Sequence, residues 1–308
     1  MQAPLLCISL KDGAVIPTPP SLILCLGNFD GLHVAHRQLL ARAKKLRDSR
    51  FPSAVCGVFC FSQPPLEVLN QHAPAQLFTA EQKLAAFSEA GMEVAILADF
   101  SALRDLTPKA FVKEILLEQC HTVAAVCGFN YHFGKGGVGD ASLLSSLLDT
   151  VEVVEEVPGV SSSLIRSLLY EGKIEQANAL LTRPYSLCAP VVHGKGLGRN
   201  LGTPTVNQQF PKSLLIPRHG VYLTSCQIGE ASYFGISNVG VRPTVDQDGV
   251  ANCETYLFDF DGTLYGKELT VCFLKFLRPE QKFSSKEELM AQIQKDIEQA
   301  EKALKELK

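Results

Sequence analysis

Two histidines, His33 and His36, sit three residues apart behind an apolar run and the glycine-bounded turn Gly27-Asn28-Phe29-Asp30-Gly31. An apolar strand, a tight turn and a helix start in that order make a phosphate site. The first N–H groups of a helix lack partners, and the helix dipole adds positive potential there. Two imidazoles on one helical face would add donors at the same spot. No third ligand has matching spacing, which argues against a metal. Isolated, the two histidines would read as surface or capping residues; the strand and turn before them point instead to nucleotide chemistry. Further along, Ser161-Ser162-Ser163-Leu164-Ile165-Arg166 offers hydroxyls and a guanidinium at a helix start, which also suits phosphate. In the second half, Thr205 and Asn207 follow a glycine-rich stretch, 196–202. Alone, the serine run is an ordinary cap and Pro204-Thr205-Val206-Asn207 an ordinary turn.

The elements that must position these residues change character near 183–186. Before that point, short apolar runs alternate with helical patterns. Strands are predicted at 22–26, 54–61, 94–97, 123–127 and 151–157, and helices near 34–48, 80–90, 108–119 and 140–148. Thr107-Pro108 is a cap and first turn, and Gly91 a stop. In the first helix Leu32, Ala35, Leu39, Ala43 and Leu46 form an apolar stripe, with His33 and His36 off it. Alternating β and α units imply a mostly parallel sheet with helices on both faces, a Rossmann-like α/β domain. Residues 161–182 read as two short helices broken at Gly172. After the boundary come β-rich runs near 187–193, 220–228, 232–238, 253–260 and 268–276, separated by turn residues. That texture suits an antiparallel barrel or sandwich. A last helix opens at Ser284-Ser285, with Ser285 and Glu288 as a capping box. The expected domains are therefore 1–184, including the helical segment 161–182, and 185–308.

Composition narrows the function class. A chain of 308 residues with 46% hydrophobic and 20% charged residues folds, and suits two domains. A net charge of −3 is no nucleic-acid footprint, so small ligands are the expected partners. No apolar stretch is long enough to span a bilayer, and residues 1–20 lack a signal-peptide pattern. The ten cysteines form no C-x-x-C pair, and Cys25, Cys56, Cys60, Cys127 and Cys272 lie in apolar runs. Free thiols in a reducing cytoplasm are the expectation.

The segment from Gly27 to His36 resembles the G-x-F-D-x-x-H-x-G-H signature of the H-x-G-H nucleotidyltransferase superfamily, departing at Ala35, where the signature has Gly. Gly128-Phe129-Asn130-Tyr131-His132-Phe133-Gly134 and the serine run with Arg166 resemble two segments of the prokaryotic bifunctional riboflavin kinase/FMN adenylyltransferase family. Gly198-Arg199-Asn200-Leu201-Gly202-Thr203-Pro204-Thr205-Val206-Asn207 is similar to that family's kinase segment, with Thr203 and Val206 as departures. Asn238-Val239-Gly240-Val241-Arg242-Pro243-Thr244 and Cys253-Glu254-Thr255-Tyr256-Leu257 resemble two more. The family's F-D-P-H-P segment is replaced by Phe61-Ser62-Gln63-Pro64-Pro65. The resemblance covers nearly the whole chain, with its motifs in family order.

It implies a nucleotidyltransferase domain followed by a riboflavin kinase-like β-barrel, with ATP as co-substrate, Mg²⁺, and riboflavin, FMN and FAD as substrates and products. Carried over residue by residue, it gives Gly27, Phe29, Asp30, His33, His36, Ser162 and Arg166 to ATP in the adenylyl-transfer site, with His33 and His36 catalytic. Asn130 goes to the flavin of that site. Gly198, Thr205 and Asn207 go to ATP and Mg²⁺ in the kinase, with Thr205 and Asn207 as metal ligands. Glu254 becomes the general base. Two alternatives fit the same residues. The departures at Ala35 and at 62–64 would suit an enzyme with only its kinase half competent, and a non-catalytic flavin-binding regulator would use the same pockets.

Two other motifs are decoys. Gly134, Gly136 and Gly139 satisfy G-x-G-x-x-G but do not open a first βα unit. Asp259-Phe260-Asp261-Gly262-Thr263 satisfies the D-x-D-G-T of haloacid-dehalogenase-type phosphatases, yet too little chain follows for that fold, and a β-turn at Asp261-Gly262 is expected.

Overall fold

The computed structural model describes residues 4–10, 19, 21–69, 73–193, 205–241 and 251–307. Contacts divide the chain into two compact units, Met1–Ser161 and Ser162–Lys308.

In the first unit the elements run β1 (Leu6–Leu10), β2 (Leu22–Leu26), α1 (Val34–Arg50), β3 (Val55–Phe61), α2 (Pro65–Val68), α3 (Ala80–Glu89), β4 (Val94–Ala98), α4 (Phe100–Leu103), α5 (Pro108–Ala110), β5 (Thr122–Gly128), α6 (Ala141–Leu147) and β6 (Val151–Val154). α5 continues as a π-helix over Phe111–Gln119. All six strands are parallel, in the order β1-β4-β3-β2-β5-β6. β2 alternates across the sheet. Leu22, Leu24 and Leu26 join Leu103, Phe111, Ile115 and Leu144 on one face, while Ile23 and Cys25 join Leu39, Ala43 and Phe87 on the other. Helices therefore cover both faces, as the alternating pattern predicts. β1 was not expected, and the strand predicted at 151–157 ends at Val154. The strand order reverses at β2, with β3 on one side and β5 on the other. In an open parallel sheet, ligands bind beyond the carboxyl ends of the strands at such a point.

The second unit opens with α7 (Ser162–Glu171) and α8 (Ile174–Leu181), followed by β7 (Tyr185–Pro190), β8 (Thr205–Gln209), β9 (Gly220–Ile228), β10 (Ala231–Val241), β11 (Ala251–Leu257), β12 (Glu268–Pro279) and α9 (Lys286–Leu307). The helical segment assigned from sequence to the first domain thus packs with the second unit. Asn178 explains why: its Nδ2 donates to Phe273 O at 2.8 Å and its Oδ1 accepts from Tyr185 N at 2.7 Å. Arg218 N also donates to Leu169 O at 2.9 Å. The strands are antiparallel, in the order β7-β12-β9-β10-β11-β8. A bridge between Val192 and Asn207 brings the two outer strands together, and buried Gln208 Nε2 donates to Ala189 O and Leu269 O at 2.7 Å each. The sheet therefore curls into the expected barrel. α9 covers Val221, Leu223 and Ile236 on its outer face. The expected cap at its start is present: Ser285 Oγ accepts from Glu288 N at 3.2 Å, while the Glu288 carboxylate reaches Ser284 N at 3.0 Å.

Candidate active sites

The first site forms where β2 ends. Phe29, Gly31 and Leu32 have φ of 53°, 81° and 40°. Two side-chain-bearing residues held in the left-handed region cost about 1–3 kcal/mol each, a burden that persists where a turn is over-determined. Three contacts fix this turn. The Phe29 ring is fully buried and packs edge-on to Phe87 at 5.6 Å and to His36 at 5.3 Å. A Cβ at Gly27 would stand 3.3 Å from that ring, so glycine lets the ring in. Buried Asp30 accepts Leu77 N at 2.9 Å and Phe78 N at 3.3 Å through Oδ1.

His33 is the N-cap of α1, in extended conformation, and its side chain makes no capping bond. Its ring stacks on that of His36, centroids 3.7 Å apart and 14° from parallel. His33 is 5% exposed. Burial pushes its imidazole down to about 4. Burial, His33 and Lys83, in that order, hold His36 well below the usual histidine range. Both rings are therefore neutral near pH 7. Among the described residues the buried Nδ1 atoms of His33 and His36 have no hydrogen-bond partner. A stacked pair with two orphaned ring nitrogens at a helix start is prepared for an external oxyanion.

These contacts redistribute the roles expected from sequence. His33 and His36 converge as expected. The Phe29 ring has no accessible surface and packs against His36. One oxygen of Asp30 anchors the 77–78 segment. Ala35 is half-buried, off the buried stripe, so its methyl fits without overpacking. Asn130 lies exposed beyond the end of β5, with its Oδ1 folded back toward Gly128. Its neighbours Tyr131 and Phe133, with Phe61, Phe100 and Phe111, line a cavity of about 550 Å³. Tyr131 and Phe133 stack there at 5.7 Å. Ser162 and Arg166 share a face of α7, four residues apart, in the second unit. The glycine decoy is a tight loop closed by a Phe133–Gly139 bridge, not a strand-to-helix turn.

The second site is a row across the barrel. In register, Asn207 of β8 lies opposite Glu254 of β11, and Glu254 lies opposite Asn238 of β10. Directly paired residues share a face, so all three point the same way. Thr205, two residues before Asn207, joins that face. Asn252 Nδ2 donates to Asn207 Oδ1 at 3.4 Å and to Glu254 Oε1 at 3.3 Å. Thr205, Asn238 and Glu254 line a cavity of about 300 Å³, roofed by Phe283, Leu289 and Ile293 at the start of α9. Arg278, re-aimed by register shifts in β12, holds buried Asp296 of α9 with bonds of 2.7 and 2.8 Å at the same cavity. Gly198 lies outside the described residues. The D-x-D-G-T decoy lies in the connection between antiparallel β11 and β12, with no parallel strand to present its first Asp.

Three residues at these sites escaped the sequence reading. Lys83 carried a signal, since it lies at i, i+3 and i+4 with the buried Ala86 and Phe87. Asn252 shares the face of Glu254 two residues on. Phe100 gave no signal, because the short helix it opens has no periodicity.

A family model for FAD synthetase matches residues 16–166, and one for riboflavin kinase matches residues 181–304. A Pseudomonas fluorescens protein named bifunctional riboflavin kinase/FMN adenylyltransferase is 38% identical over 289 residues, covering 91% of this chain and 92% of its own. A protein of the same name from Bacillus subtilis is 31% identical over 290 residues, 90% and 91% of the two chains. A crystal structure described as a macrolide-efflux protein from Streptococcus pneumoniae superposes with a TM-score of 0.86 at 29% identity, covering 95% of this chain and 98% of that one. No helix among the described residues is long and apolar enough to cross a membrane. With both domain models matched in order and relatives above 30% identity along nearly its whole length, the chain belongs to the bifunctional riboflavin kinase/FMN adenylyltransferase family.

Proposed function

We propose that this chain makes both flavin cofactors in two steps: riboflavin and ATP give FMN and ADP, then FMN and a second ATP give FAD and pyrophosphate. Residues 1–184 would carry the adenylyltransferase and 185–308 the kinase, with the serine and Arg166 of α7 contributing to ATP binding. ATP, riboflavin and FMN are its small-molecule partners, and the cytoplasm its place of work.

The observation that carries this reading is the in-register row Asn207–Glu254–Asn238, of which Glu254 and Asn238, with Thr205, line a cavity of about 300 Å³. In the kinase step the ribityl 5′-hydroxyl oxygen attacks the γ-phosphorus, the bond to ADP breaks, and Glu254 accepts the hydroxyl proton. Thr205 and Asn207 are oxygen donors two residues apart on one strand face, a set that fits Mg²⁺ retaining most of its water. No cluster of three His, Cys, Asp or Glu among the described residues offers an alternative cage. Bound there with ATP, the ion would neutralise phosphate charge. In the adenylyl step an FMN phosphate oxygen attacks the α-phosphorus of ATP and pyrophosphate leaves. The His33–His36 pair donates to the phosphates, while the aromatic 550 Å³ cavity suits the planar flavin.

Glu254→Gln tests the kinase assignment. It keeps the shape and the Asn252 contact but removes the base. Riboflavin phosphorylation should fall about 10²–10⁴-fold, while supplied FMN is still converted to FAD. Undiminished phosphorylation would sink the assignment. His36→Ala should do the reverse, and a wild-type protein that makes no FAD from FMN and ATP would favour a kinase-only enzyme.

A further inference from the structure

Lys83 sits where a lysine gains little stability. It is 9% exposed, on the buried face of α3. Its stem is enclosed, while its ammonium, which is not one of the fully enclosed nitrogens, has no hydrogen bond and no ion pair among the described residues. It is the fourth residue of a helix capped by Thr79, where a cation opposes the dipole. Its field also reaches His36 and disfavours a second positive charge there.

The surroundings show what would relieve it. α3 is tied to the histidine turn twice, by Asp30 holding Leu77 and Phe78 and by Phe29 against Phe87. Lys83 lies one turn before Phe87 on the same face of α3, the face those ties hold toward the turn. Independently, Nδ1 of His33 and Nδ1 of His36 are buried with no partner among the described residues. Two neutral imidazoles supply donors but no net charge, and a triphosphate brings several negative charges. A cation with no protein partner among the described residues, close enough for its charge to reach His36, and two orphaned ring nitrogens complement one ligand class, a polyphosphate.

We propose that Lys83 is a phosphate-binding residue of the adenylyl-transfer site, its ammonium meeting the part of ATP that leaves as pyrophosphate, beside His33 and His36. This rests on the adenylyltransferase reading above. As the bond from the α-phosphorus to the bridging oxygen breaks, the electron pair stays with pyrophosphate, and Lys83 stabilises that growing charge.

The test is Lys83→Met in the full-length chain, which keeps the apolar stem and removes the charge. FAD formation from FMN and ATP, its inhibition by pyrophosphate, FMN formation from riboflavin, and thermal melting are measured side by side. A charge-assisted contact predicts a fall of about 10- to 150-fold in kcat/KM for ATP in the adenylyl step. Inhibition by pyrophosphate should weaken comparably, riboflavin phosphorylation should stay unchanged, and the melting temperature should hold or rise. Lys83→Arg should recover part of the loss. Unchanged adenylyl kinetics overturn the proposal, and so does a loss that comes with a lowered melting temperature and no recovery in Lys83→Arg. A wild-type chain that forms no FAD has a different signature and removes the adenylyltransferase reading itself.

Discussion

The buried histidine pair makes the first unit acid-labile in a calculable way. His33 titrates near its ordinary 6.5 in the unfolded chain and at about 4 in the fold. A histidine whose folded pKa is lowered favours the neutral state. Its contribution is fully present above 6.5 and is lost as pH falls through the window toward 4, because the unfolded chain then binds the extra proton. Between pH 7 and pH 5 that linkage amounts to about 1–2 kcal/mol after discounting for solvent reaching the cleft. His36, also held low, adds to it with the same sign. The chain contains no tryptophan, so hydrogen exchange read by mass spectrometry over residues 22–50 is the fitting assay. Protection there should drop from pH 7 to pH 5 beyond the intrinsic pH effect, and the drop should shrink in His33→Asn. Pyrophosphate should restore it, since an anion on the imidazoles favours their charged form, and its binding should take up protons. Equal pH dependence in the wild type and His33→Asn would refute the reasoning.

Two further perturbations separate the units. Phe29→Ala should destabilise the first unit by about 3–5 kcal/mol and release His36, so denaturant unfolding of that unit shifts and FAD formation falls while riboflavin phosphorylation persists. Arg278→Ala leaves the Asp296 carboxylate, 2% exposed in its side chain, without its cation and with the Gln292 amide still donating to it, and should cost about 3–5 kcal/mol, seen as faster exchange along α9 and a raised KM for riboflavin; the double change Arg278→Met with Asp296→Leu should recover most of that stability but not the KM.

What could be read in advance follows from which interactions are local. β2, α1 and the Thr107 cap obey periodicity and capping, which act within a few residues, and they lie where the sequence puts them. β1 escaped because its pattern is short and its burial is set by β4, far along the chain. β8 escaped because Thr205-Val206-Asn207 reads as a turn until β11 pairs with it. The packing of α7 and α8 was not legible, because Asn178, a polar residue with no local signal, bonds to β12 and the start of β7. The site divides the same way. His33 and His36 announce themselves by spacing, but their stacking depends on an aromatic ring in a left-handed turn and on a carboxylate that reaches residues 77 and 78. Phe29 and Asp30 thus have a structural part in the motif beside the one first assigned. The motif's histidines would meet the nucleotide, whereas its Phe and Asp fix α3 against the turn. The same two ties bring Lys83 to the pair, so a segment of ten residues specifies a site that includes a cation almost fifty residues away.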